Sequence, residues 1–63
     1  MKPEIKSKIE DEFAMLNRHH ASKETIWDRM RGFTDALHLL DLITKDEFVK
    51  ACDDLRDWWW KNR

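Results

Sequence analysis

Gly32 and Pro3 are the single glycine and the single proline in 63 residues, and this scarcity of chain-breaking residues is the strongest constraint on what the chain can become. With no tyrosine and few β-branched residues, the composition argues for helix throughout. At this length the chain is one domain near the lower limit of what folds unaided, because a small body buries a smaller share of its apolar surface. Ordering costs about 1.5 kcal/mol per residue, so a net stability above about 3 to 5 kcal/mol is not expected of such a core. A lone Cys52 supplies no internal disulfide and no Cys-x-x-Cys pair for a metal. Self-association or partner binding is the remaining common source of stability, and a first pointer toward an interaction role.

The pattern of apolar residues predicts an all-α fold: a small three-helix bundle forming one domain over residues 1–63, with helices at about 3–18, 23–40 and 45–61. Pro3 suits the first turn of a helix, and Glu4 complements the positive end of its dipole. Ile5, Ile9, Phe13 and Leu16 then fall within an arc of about 80° at roughly 100° per residue, one core face. The pattern stops after Asn17, and residues 18–22 read as a short connection. Ser22 can cap the second helix, whose core face is Ile26, Met30, Phe33, Leu37 and Leu40, with Trp27, Thr34 and His38 in a flanking row. Gly32 and Ala36, four apart, leave a shallow groove on another side where a second backbone could approach, and Leu39 lies close to it with no evident use inside the molecule.

The start of the third helix is unusually complete. Thr44 can cap it while Glu47 reaches back to Thr44, so that each side chain satisfies an amide the helix cannot. Ile43 before the cap and Phe48 after the first turn are spaced as a hydrophobic staple. Helices 2 and 3 are therefore expected to form a capped antiparallel hairpin. Phe48, Cys52, Leu55 and Trp59 form the core stripe of helix 3, and Asp46, Lys50, Asp53, Asp54 and Asp57 make its solvated face acidic.

Trp58, Trp59 and Trp60 are consecutive, so on a helix they fan over about 200° and cannot share one core. Trp59 is expected in the core, Trp58 at its edge, and Trp60 in an outer row with Val49 and Arg56. Exposed aromatic and arginine groupings are what binding hot spots are made of. The candidate interaction residues are thus Trp58, Trp60, Val49 and Arg56, together with Gly32, Ala36 and Leu39. The competing reading folds both outer indoles over the open end of a small core.

Chemistry finds little foothold. His19 and His20 point to different sides, His38 lies in another element, and no further ligands stand at zinc spacing. Cys52 sits within an apolar stripe as a core residue would. The carboxylates lie on solvated faces with nothing to tune them as acid or base, and no glycine-rich phosphate loop is present. No enzyme, catalytic residue, metal or cofactor is therefore expected. Twelve basic against thirteen acidic residues give a net charge of −1, which does not demand nucleic acid. The alternative is DNA binding by helices 2 and 3 as a helix-turn-helix. Its reading end would present Thr44, Lys45, Asp46 and Glu47, followed by three more aspartates, and phosphate repulsion of these carboxylates would oppose docking, so the contact would fall to Arg18, Lys23, Arg29 and Arg31. No apolar run approaches the roughly 20 residues of a membrane span, no signal peptide is evident, and a free cysteine suits a reducing cytoplasm.

The segment IWDRMRGFTDALHLLDLITKDEF, Ile26 to Phe48, and the run Trp58 to Trp60 resemble the small helical proteins of the sixty-three-codon frame in the exo to xis region of lambdoid bacteriophages. This resemblance implies an early-expressed phage accessory protein in the host bacterial cytoplasm, connected with the lysis or lysogeny outcome and host cell-cycle effects, and it carries over no catalytic residue. A shorter stretch, Ala36 to Leu55, is similar to helical hairpins at the ends of many bacterial proteins, which typically read Gly-Ile-Thr-x-Glu-Glu-Phe. Here Asp41-Leu42 replaces the glycine-bearing turn, and the likeness implies oligomerisation or docking. The expected partner is an unidentified host or phage protein, or a second copy in a homodimer, with no membrane. Replacing Thr44 by Ala should lower stability by about 0.5 to 2 kcal/mol, read as a shift in denaturation midpoint with unchanged slope.

Overall fold

A proline at the first helical position, side-chain caps at Ser22 and Thr44 and two chain reversals set the limits of three helices in the computed structural model, which describes residues 1–62. They are α1 (Pro3–Arg18), α2 (Lys23–Leu39) and α3 (Lys45–Lys61), with no strand among the described residues. Ser22 Oγ accepts from the Thr25 amide at 3.1 Å at the start of α2. At α3 both halves of the capping box are present. The Glu47 amide donates to Thr44 Oγ1 at 3.1 Å, and the Thr44 amide donates to Glu47 Oε1 at 2.8 Å. The N-terminal ammonium of Met1 also pairs with the Glu47 carboxylate. That ion pair first, and the Thr44 amide second, hold the Glu47 carboxyl below its ordinary range. The associated stabilisation is present above the ordinary carboxylate range and is lost as pH falls through the lowered native value.

Both reversals use the same device. At the end of α1 the amide of Ala21 donates to the Leu16 carbonyl at 3.0 Å and that of His20 to the Asn17 carbonyl at 3.1 Å. At the end of α2, Leu42 donates to Leu37 at 2.9 Å and Asp41 to His38 at 3.0 Å. This is the Schellman arrangement, which needs a left-handed residue just past the helix. His20 at φ 57° and Asp41 at φ 59° supply it without glycine. Asp41 thus takes the conformation for which related-looking hairpins use glycine, and α2 ends at Leu39, one residue short of the expected limit.

The short connections make neighbouring helices antiparallel, so α1 and α3 run parallel, with α2 between them. α2 packs against both. No Cα atom of α1 comes within 8 Å of one in α3; these two helices meet through side chains, Met1 with Glu47 near their starts and Phe13 with Trp58 near their ends. The core is Leu16, Ile26, Met30 and Leu55, with Ile9, Phe13, Met15, Ala21, Trp27 and Trp58 packed onto it. Leu37 and the staple residue Ile43 are also buried, which puts the apolar side of the α2–α3 turn inside.

Serving two neighbours rotates the buried face of α2 away from the expected stripe. Thr34, expected to flank the core, is 5% exposed, and its hydroxyl donates to the Met30 carbonyl at 2.7 Å, so no polar atom is stranded. Leu40, expected in the core, is 69% exposed, because it caps the helix where the chain turns outward. Phe33, Ile5, Phe48 and Cys52 are half-buried rather than fully enclosed. Replacing Asp41 by Gly should remove the left-handed strain and raise stability by about 0.5 to 1 kcal/mol, seen as a higher melting temperature with unchanged helical circular dichroism.

Candidate functional site

The three indoles of α3 separate as consecutive helical side chains must. Trp58 meets Phe13 of α1 edge-on, with ring centroids 5.5 Å apart. Trp59 meets Trp27 of α2 at 5.3 Å, and the Lys23 ammonium sits 4.1 Å from the centre of the Trp59 ring. Trp58, not Trp59, therefore packs on the buried cluster. The reason is the groove side of α3: Ala51, Leu55 and Trp58 form a second apolar seam beside Phe48, Cys52, Leu55 and Trp59, and Leu55 belongs to both. Both indoles remain half-buried.

Trp60 and Val49 stay on the outer face, 57% and 47% exposed. Arg56 in the same row is held by Asp53, with Nη2 2.7 Å from Oδ1. A second apolar surface surrounds the α2–α3 turn, where Leu39, Leu40 and Leu42 are 81%, 69% and 45% exposed. Gly32 and Ala36 lie on the same open side of α2 as Leu39, and a Cβ added at Gly32 would meet nothing within 4 Å. Of the seven expected interaction residues, the structure thus places Val49, Arg56 and Trp60 together on α3, and Gly32, Ala36 and Leu39 together on α2. Trp58 lies apart from both groups.

A third surface was not anticipated from sequence. Because α1 and α3 are held apart, a groove of about 950 Å³ opens between them, with Met30, Thr34 and Leu55 at its base and Ile9, Phe13 and Trp58 along its sides. The seam Ala51, Leu55, Trp58 was its sequence signal, hidden because the neighbouring stripe accounted for Leu55.

The four basic residues of the nucleic-acid alternative are spread over α1 and α2. Arg18 is in the last turn of α1 and Lys23 is engaged with Trp59. Arg29 and Arg31 are exposed on α2 but stand about 200° apart around its axis. His19 and His20 are exposed at the α1 end, while His38 stacks on Phe48 with centroids 4.9 Å apart. Among the described residues no group of three His, Cys, Asp or Glu side chains is placed to hold a metal ion. No helix of the structure is long and apolar enough to cross a membrane.

These features define a small all-α helical bundle with apolar residues on its outer faces. Compared with protein-family models, curated proteins and solved structures, the chain matches none.

Truncating each indole to alanine should distinguish its role. Trp58→Ala and Trp59→Ala should each cost about 2 to 3 kcal/mol, less than the 3 to 5 typical of a fully buried aromatic. Trp60→Ala should stay within about 0.5 kcal/mol of the parent. Thermal and denaturant melts of the three variants make the comparison.

Proposed function

We propose that the chain is a small non-enzymatic phage accessory protein that acts by protein–protein interaction, modulating the host or the lysis–lysogeny outcome from the host cytoplasm. The phage origin rests on the resemblance of Ile26–Phe48 and Trp58–Trp60 to the lambdoid exo–xis proteins. The interaction role rests on one observation: large apolar side chains, Trp60 and Val49 on α3, Leu39 at the end of α2 and Leu40 just past it, are exposed on a domain this small. Exposed apolar groupings of this kind mark surfaces that a partner covers. The partner is a host or phage protein, and a second copy of the chain is the alternative cover.

Affinity capture with the tagged protein from infected and uninfected cells tests this reading. Trp60→Ala should weaken recovery of the specific partner by roughly fivefold or more, about 1 kcal/mol, while leaving the melt unchanged. Recovery that is identical for parent and variant, or no specific partner in either extract, would remove the α3 outer row from the function.

A further inference from the structure

The groove between α1 and α3 has the geometry of a four-helix bundle without its fourth member. α1 and α3 flank α2 without approaching each other, and their facing side chains Ile9, Phe13, Ala51, Leu55 and Trp58 line a cleft floored by Met30. Its length is set by the two side-chain bridges, Met1 to Glu47 and Phe13 to Trp58. From Glu47 to Trp58 the α3 axis rises about 17 Å, or three helical turns.

Its rims carry charge in a definite order. With α1 and α3 parallel, the Phe13–Trp58 contact sets a register in which Lys6 of α1 lies level with Lys50 of α3, and Glu10 with Asp54, to within about 2 Å along the axis. All four side chains line the groove and are exposed. One level is therefore basic on both rims and the next turn is acidic on both rims. Lys50 and Asp54 are 3.6 Å apart, a solvent-exposed pair of the loosely held kind that can exchange for charges on a ligand.

We propose that this groove receives an amphipathic helix of about three turns from a partner protein. Its apolar seam lies over Met30 and Leu55, with acidic residues on both flanks facing Lys6 and Lys50 and basic residues on both flanks, one turn away, facing Glu10 and Asp54. This rests on the reading of the chain as a protein-binding module and adds the class of segment it binds. The separation of the bridges matches a short helical segment, whereas the helices of this chain run to 16 and 17 residues. Charge order at the rims supplies register and selectivity, and the apolar floor supplies contact.

Two synthetic helical peptides with the same leucine seam and the same net charge test the assignment on the full chain. In the first, one level carries glutamate on both flanks and the next turn lysine on both flanks. In the second, one flank carries both lysines and the other both glutamates, so that neither orientation in the groove can match all four rim charges. Titration followed by tryptophan fluorescence and calorimetry should show the first peptide binding about tenfold tighter. The paired variant Lys6→Glu/Asp54→Lys makes one rim wholly acidic and the other wholly basic, leaves net charge unchanged, and should reverse the preference. Equal affinity for the two peptides, binding of neither, or a preference untouched by the paired variant would each overturn the proposal. So would sedimentation in which that variant turns an oligomeric parent into a monomer, since the groove would then belong to a second copy. Cellular capture that depends on Trp60 but not on Lys6 and Asp54 would reject the groove while leaving the interaction role in place.

Discussion

Everything in the molecule depends on α2 having two neighbours and no third layer. A helix of the hairpin type can bury a single stripe; α2 must offer one broad face to α1 on one side and α3 on the other. Its buried residues Ile26, Met30, Thr34 and Leu37 accordingly spread toward the Thr34 side. A hydroxyl can stand there because it donates to the Met30 carbonyl within the same helix, so the cost of burying it is met locally. With α1 and α3 both committed to α2, little backbone contact is left between them, and the apolar sides of Ile9, Phe13 and Trp58 are only half covered.

That incomplete coverage connects fold to function. Most apolar side chains of so small a domain cannot be fully enclosed, and those left outside are not scattered evenly. They gather at the outer row of α3, around the α2–α3 turn, and in the cleft between α1 and α3. The polar residues beside them include exposed carboxylates and lysines, the Arg56–Asp53 pair and the half-buried Glu47. Such an arrangement offers the area and charge order on which the proposed recognition rests.

The chain reversals show how a protein with one glycine turns twice. Left-handed backbone is costly for residues with a Cβ, least so for asparagine, aspartate and histidine. His20 and Asp41 occupy those two positions, and each allows two otherwise orphaned carbonyls to find donors. The Thr44 and Glu47 box then restarts the chain at a fixed angle, with Ile43 buried behind it. Turn and cap agree in direction.

Local chemistry alone determined the three helices, their starts at Pro3, Ser22 and Thr44, and the hairpin, because caps and helical periodicity act within a few residues of themselves. The outer placement of Val49 and Trp60 followed from the same periodicity. What tertiary structure decided was which side of each broad stripe is covered. Thr34 is buried because α2 is rotated to meet two helices at once, an orientation set by the neighbours and not by its own pattern, and Leu40 is left outside because it caps α2 where the chain turns outward. Trp58 displaced Trp59 from the main core because Phe13 of α1 stands opposite it. The groove is decided entirely at this level: its charge order comes from Lys6 and Glu10 meeting Lys50 and Asp54 across a gap, and residues more than forty positions apart acquire a common level only when the two helices are set parallel on a third.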